Sequence, residues 1–529
     1  MHVSSSEGAR PDILVVGTGP GGSVAAAQLA QLMPAARILV LERGTDHTRH
    51  PQTLSAAQVL HAQSSRHLLE EEWSLPQPGL SGRRLLLKMG HVAGGSHPFV
   101  GGTYVRGDAA GFRDWPDGFR WADLQPWFER VEATLPLRRY PEDELTRCLQ
   151  QAGGAIGAPV REDFNQGSTL GIGRALSQFE HDAPGAPRIT AYRNLLRVAQ
   201  AKCPNLQVRL EEPVRRILFD GRRAVGVALT KGRQIRLAPG GEIVLACGAI
   251  GTPRLLMRSA IGPEGELRRH GISPVAVIEA IGRHLNDQYG FPLLFRSAIP
   301  LQVTALPKTN LFVSLQPAGD EADLQWYLQG IDGTPRSLLV FSYFQPRWLL
   351  QAVQAVFAAL AHAVHLPRLV MRHLVLAMPT NGRTAYDGRV TLDGVDCNFG
   401  SDEQIRPLVE AIRITRRLMS ARPLQEAFAL RELNSGRHRT DAELSEFVRR
   451  KVTSIWHCTS TCRMATSPDD GAVDPSLRLF GVEGIRVVDA SVLPTGTTSG
   501  PTAVIMAVAW KAAHMIAADR ERRGSRGSL

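Results

Sequence analysis

The chain has 529 residues, 43% apolar and 21% charged, with a formal net charge of +11 at pH 7. That length and balance exclude a small disulfide-stapled scaffold, a coiled coil and a collagen-like fibre. The basic residues are spread without a block of five like charges, and no RRM, zinc-finger or helix-turn-helix pattern occurs, so an Arg-rich surface and no nucleic-acid partner are expected.

In chain order, the opening MHVSSSEGARPD lacks the apolar core of a secretory signal, and no run reaches the ~20 apolar residues of a membrane span, which points to a cytoplasmic protein. Residues 12–16 form a short apolar run suited to a parallel sheet buried on both faces. GTGPGGSV follows, then an Ala-rich helix predicted over about 21–32, then a second apolar strand over 37–41 closed by Glu42. Gly17, Gly19 and Gly22 stand in the order GxGxxG. The first permits a tight turn, the second lets backbone approach a pyrophosphate, and the third lets helix pack against strand. Pro20 and Gly21 start the helix, whose N-terminus offers free N–H groups and a positive dipole end to phosphates. Glu42, with Arg43 beside it, closes the second strand, where a carboxylate accepts hydrogen bonds from ribose hydroxyls. Strand, turn, helix, strand and acid together predict dinucleotide binding.

Residues 45–90 are polar and helical in character, 90–107 are Gly-rich, and 117–205 mix helices and loops. Residues 206–249 alternate like strands, and a helix is predicted over about 252–259. Over 348–365 no side chain is formally charged if the histidines are neutral. Leu349, Val353, Val356, Leu360 and Val364 form one helical stripe ending before Pro367, and a second apolar run covers 369–378. The stretch 348–378 reads as a core helix region or as an apolar lid, peripheral membrane contact or subunit contact. A helix over about 402–421, a strand over 485–489 and a closing helix from Thr502 complete the chain. Of six cysteines only Cys458 and Cys462 are close. Their C-x3-C spacing has no second pair, so free thiols and no metal site are expected.

Four ordered blocks resemble the glucose–methanol–choline (GMC) family of FAD oxidoreductases. GGSHPFVGGTYVRGDAAGFRDWP from Gly94 is similar to the family's GGSSxxNxxxYxRG…W. GAIGTPRLLMRSAIGP from Gly248 is similar to GAxxSPxLLxxSGIGP, and GRHLNDQ from Gly282 to GxNLxDH. HCTSTCRM from His457 and GVEGIRVVDASVLPTGTTSGPTA from Gly481 are similar to HPxGTCRMG and GxxGLRVxDxSxxP. The resemblance implies an α/β protein. Its Rossmann-like FAD-binding domain (10–155, 206–290 and 455–520) would be interleaved with an α+β substrate domain of antiparallel sheet and helices (156–205 and 291–454). It implies FAD contacts at Gly94, Gly95, Ser96, His97, Val100, Gly101, Val214, Asp489, Ala490 and Thr502, besides those of the first βαβ unit. It also implies oxidation of a CH–OH group, with hydride passing to flavin N5 and His457 as base; histidine suits that role because its ordinary pKa is near neutrality.

The departures are informative. The family's second His or Asn lines up with Gly500, which has no side chain to donate or accept. Ser499, Thr498 or Thr502 could supply a hydroxyl in its place. The family's Asn in the Gly-rich block is Val100, the glycine before TCRM is Ser460, and the last histidine of GxNLxDH is Gln288. His97 replaces a serine, while the position of covalent flavin linkage in some relatives is Phe99, so FAD is expected to be non-covalent. Lost polar groups at Val100 and Gly500 point to a bulky or lipophilic small-molecule alcohol. Loss of the second catalytic group also keeps open a lyase or decarboxylase on the same flavin scaffold. No motif names the electron acceptor that reoxidises the flavin.

Overall fold

Runs without a polar side chain build the first sheet. Ile13–Val16 and Ile38–Leu41 are buried along their whole length, because each is an interior strand of a parallel sheet. The computed structural model describes residues 10–181, 185–301, 308–331, 372–382 and 387–527. Its parallel sheet runs in the order Leu206–Arg209, Ile38–Leu41, Ile13–Val16, Glu242–Leu245, Ile485–Val487. The helix Pro20–Leu32 starts with Pro at its first turn, where the missing N–H costs nothing. Its small residues are buried nearly all round, against the closing helix Thr502–Gly527. That closing helix corrects the expectation that no segment is long and apolar enough to span a membrane: Thr502–Arg523 is, by length and composition, yet 67% of its most apolar window is buried inside the protein. Arg486, fully buried, pairs with Glu242 on the neighbouring strand and Asp519 on the closing helix, tying the two together.

The second sheet is mostly antiparallel. Its path is Arg431–Glu432, Leu293–Arg296, Leu374–Asn381, Leu324–Gly330, Thr309–Val313, Gly171–Arg174, Val160–Arg161, and only the last pair is parallel. One face packs on the helix Asp402–Met419, where the Trp326 indole N–H donates to Thr415 Oγ1 at 2.8 Å. The two-residue strand Tyr289–Gly290 pairs with Thr380 on one side and with Thr453–Ser454 on the other, so the sheet leads directly to the segment carrying His457.

Two expectations change. The stretch 45–90 holds an antiparallel pair, Leu69–Trp73 with Leu86–Gly90, as well as short helices. The acidic run Glu70-Glu71-Glu72 lies on the first of these strands, where Arg43, Lys88 and Arg254 pair with Glu70, Glu71 and Glu72 in turn. Of the apolar stretch 348–378, the stripe at 348–365 lies outside the described residues, whereas 374–378 belong to an interior strand of the antiparallel sheet.

Candidate active site

Four strands of the parallel sheet, Ile13–Val16, Ile38–Leu41, Glu242–Leu245 and Ile485–Val487, lead into one cleft. Its walls include Gly17, Gly19, Pro20, Gly21, Glu42, Arg43, Gly95, Ser96, His97, Val100, Val214, His457, Asp489, Ala490 and Thr502. Gly17 has φ +102°, and a Cβ there would lie 2.3 Å from the Ala246 carbonyl oxygen, so the first turn admits only glycine. A Cβ on Gly22 would lie 2.1 Å from Gly17 O; Gly22 sits beneath the turn rather than on the cleft wall. The helices starting at Pro20, Gly248 and Thr502 all begin at this cleft, and none has an acidic residue in its first turn. Pro20–Leu32 and Gly248–Arg258 also lack a side-chain cap. The starts at Pro20 and Thr502 therefore turn positive dipole ends to one space, as an anionic pyrophosphate requires, whereas the start at Gly248 is met by the Asp489 carboxylate.

Glu42 is 6% exposed. Its Oε2 accepts from Thr18 N–H (2.9 Å) and hydroxyl (2.6 Å), and its Oε1 accepts from Gly44 N–H (2.9 Å). The carboxylate is thereby fixed at the cleft with lone pairs left for a ribose. Asp489 spends its oxygens on the protein: Oδ2 accepts from Gly248 N–H (2.8 Å) and Thr252 hydroxyl (2.6 Å), and Oδ1 from Ser491 N–H and hydroxyl. It shapes the wall formed by the helix start at Gly248. His97 is buried, and both ring nitrogens are engaged: Nδ1 accepts from Ala191 N–H and Nε2 bonds Gln178 Oε1. Gly94 donates to Thr18 Oγ1 (3.0 Å) and stands behind the wall, and Gly101 does not line the cleft. The cradle, the ribose acceptor and the converging helix starts fit FAD.

His457 faces the same cleft from the loop after Thr453–Ser454. The residue before it, Trp456, has φ +65°, a strained conformation for a bulky side chain. Hydrogen bonds impose it: Trp456 N–H donates to Ser454 Oγ (3.0 Å), and His457 N–H donates to Asp287 Oδ1 (2.7 Å). Asp287 also accepts from Gln288 N–H and the Ser454 hydroxyl, and its burial pushes the carboxyl up to about 7. The Gln288 amide N–H donates to Thr497 O (2.9 Å), which leaves its Oε1 as an acceptor 2.6 Å from His457 Nδ1. Nδ1 therefore carries the proton, and Nε2 presents a lone pair. Enclosure by protein lowers the His457 pKa to about 4, so the ring is a neutral base at pH 7. A Cβ on Gly500 would lie 3.2 Å from His457 Nε2 and Cε1, so the missing side chain opens space at the basic edge of the ring.

The substitute hydroxyls behave differently. Ser499 donates to Val105 O (3.1 Å), and Thr498 accepts from Asp108 N–H (3.1 Å); neither lines the cleft, whereas Thr502 does. Gln288, Asp287 and Trp456 are site residues that sequence reasoning did not assign. The signal for two of them was present in GRHLNDQ, read only as a departure.

Models of the GMC oxidoreductase family match residues 12–290 and 385–509. Over 540 residues the chain is 29% identical to an oxygen-dependent choline dehydrogenase of Pectobacterium atrosepticum, covering 96% of this chain and 94% of that protein. It is 28% identical over 559 residues to an oxygen-dependent choline dehydrogenase 1 of Chromohalobacter salexigens, covering 93% of each. In fold it is similar to pyridoxine 4-oxidase from Mesorbium loti (TM-score 0.81, 24% identity, covering 96% of this chain and 99% of that one). It is similar in fold to a formate oxidase as well (TM-score 0.81, 20% identity, covering 98% and 100%). The chain belongs to the GMC oxidoreductase family, and it is an FAD-dependent oxidoreductase.

Proposed function

We propose that the protein oxidises the CH–OH group of a bulky or lipophilic alcohol to a carbonyl, with non-covalent FAD and with His457 Nε2 as the base. The observation that carries this reading is the Gln288–His457 bond, which aims a bare Nε2 at the space beside Gly500. The alcohol hydroxyl donates to Nε2, which takes its proton as the carbonyl forms. Bound in the cleft, the flavin supplies the two-electron acceptor for the hydride that leaves the same carbon. His457 then holds the proton until solvent or the acceptor's chemistry removes it.

Two features support non-covalent FAD. Phe99 occupies the position of linkage, and both nitrogens of His97 are already bonded to protein. A lipophilic substrate is supported by Val100, Pro501 and Ile505 on the cleft wall and by the absence of a side chain at Gly500. Burial of a chain contributes about 0.8 kcal/mol per CH₂, so four more methylenes gain roughly 3 kcal/mol, about a hundredfold in affinity.

Anaerobic mixing of the yellow protein with straight-chain alcohols, with choline and glucose as controls, tests this. Flavin bleaching with kcat/KM rising along the series is expected. A flat series or a preference for either control overturns the lipophilic assignment, and product without bleaching would reveal a lyase.

A further inference from the structure

One buried cation takes no part in the chemistry above. Arg188 is 0% exposed, and its backbone is pinned by an antiparallel bridge to Phe179 and by its N–H, which donates to Leu54 O (2.7 Å). The guanidinium lies over the Phe179 ring, 4.6 Å from its centroid, and Nη1 donates to Val100 O (2.8 Å). Nε and Nη2 have no hydrogen-bond partner, and among the described residues no carboxylate pairs with the group. Burial lowers its pKa only to about 10, so it is charged at pH 7. Buried charges are ordinarily paired, because an uncompensated one is costly. The neighbours supply no counter-charge. Burial holds His47 down to about 3 and His97 to about 4, so both rings are neutral, and the Asp46 carboxylate beside His47 pairs with Arg197 (3.0 Å).

The charge sits directly behind the cleft. Val100 lines the wall, and Arg188 holds its carbonyl from the protein side. The chain on either side of Val100 reaches both ends of the site. Upstream, Gly94 N–H donates to Thr18 Oγ1 (3.0 Å), and a Cβ on Gly95 would lie 3.0 Å from Gly19 Cα, at the pyrophosphate turn. Downstream, Val105 O accepts from the Ser499 hydroxyl (3.1 Å), next to Gly500 and the basic edge of His457. The wall that carries Val100 thus runs from the phosphate cradle to the base, the span that a flavin ring has to fill. A hydride brings the ring two electrons and one proton, so the ring gains a negative charge while the hydroxyl proton of the alcohol goes to His457. A fixed cation in a low-dielectric interior is weakly screened and stabilises such a charge without touching it.

We propose that Arg188 tunes the flavin from behind the Val100 wall: its unpaired charge raises the reduction potential of the bound cofactor and favours negatively charged forms of the ring. The proposal deepens the alcohol-oxidation reading by naming the group that steadies the charge left by hydride transfer. Arg188 acts across Val100, so charge is the property that matters, and lysine can replace arginine where a neutral side chain cannot.

The test uses holoenzyme and two readouts that need no alcohol. The potential of the bound flavin is measured against reference dyes, and sulfite, which adds to oxidised flavin and leaves a negative charge on the ring, is titrated by the loss of the yellow band. Arg188→Met removes the charge at similar length; it should weaken sulfite at least ~10-fold and lower the potential by the same factor, about 30 mV for a two-electron couple. Arg188→Lys should stay close to the wild type in both. Arg188→Gln, which keeps an amide donor but no charge, should behave like Arg188→Met and serves if that variant does not fold. Coincident potentials and sulfite affinities in wild type and neutral variants overturn the proposal. So does a lysine variant that matches the methionine one, which would reduce Arg188 to a support for the wall. Charge-dependent sulfite binding and potential without bleaching by any alcohol would uphold the tuning and refute the oxidation reading. Bleaching by alcohol with charge-independent potentials would do the reverse.

Discussion

A histidine can take a proton only at a nitrogen whose lone pair is free, so the partner of its other nitrogen decides whether it serves as a base. Here that partner is Gln288, itself oriented by its bond to Thr497 O. Because burial lowers the His457 pKa to about 4, the base form persists to low pH. The acid limb of kcat/KM is therefore expected near 4 rather than near the ordinary 6.5 of histidine. Gln288→Glu places a carboxylate against Nδ1 and favours the protonated ring. Its limb should move up by one unit or more, while Gln288→Leu should lower the rate without moving the limb upward. Coincident pH profiles for wild type and Gln288→Glu would remove Gln288 from this role. Gly500→Ala puts a methyl 3.2 Å from Nε2, in the space that the proposed reaction gives to the substrate oxygen. Flavin reduction should slow at least ~10-fold with FAD content unchanged, the scale of a misplaced near-attack geometry. The residues alone showed the histidine and the gap but not the bond that orients the ring. His457 was marked by its block and Gly500 by its departure, but Gln288 is 169 positions away in sequence, and only the fold brings its amide to the ring.

At the scale of elements, the βαβ unit was readable because its signals are local: a buried four-residue strand, a glycine turn and a helix begun by proline. The convergence of two further helix starts, at Gly248 and Thr502, was not, because no periodicity shows where a helix points. Within this cradle Glu42 is the one buried carboxylate fixed by Thr18 and Gly44. Glu42→Ala should weaken FAD retention by about 1.5–3 kcal/mol, roughly ten- to a hundredfold, as expected for a lost charge-assisted hydrogen bond. Flavin dissociation followed by fluorescence measures it, and unchanged retention would show that the ribose is held elsewhere. Acid precipitation should release the flavin into the supernatant; flavin in the pellet would contradict the role assigned to Phe99 and His97. The strand pair at 69–90 is hidden in the sequence for a related reason. Its three consecutive glutamates find their partners in Arg43, Lys88 and Arg254, only the second of them on the paired strand, and nothing local in the sequence marks those pairings.

The whole molecule sets two sheets against one cleft. The parallel sheet delivers the cofactor cradle at its strand ends, and the antiparallel sheet delivers His457 through Tyr289–Gly290 and Thr453–Ser454. The α/β class was legible from the buried runs and the ordered blocks. The register of the second sheet was not, since its strands are drawn from between Val160 and Glu432. In the proposed reaction these sheets meet to let His457 deprotonate an alcohol while the flavin is reduced. Anaerobic stopped-flow reduction of the flavin by one alcohol, in wild type and in His457→Ala, tests it most directly. The variant should keep its full FAD content and be reduced at least ~10²-fold more slowly, the share of a positioned base. Reduction at the wild-type rate would contradict it and place the base on another residue.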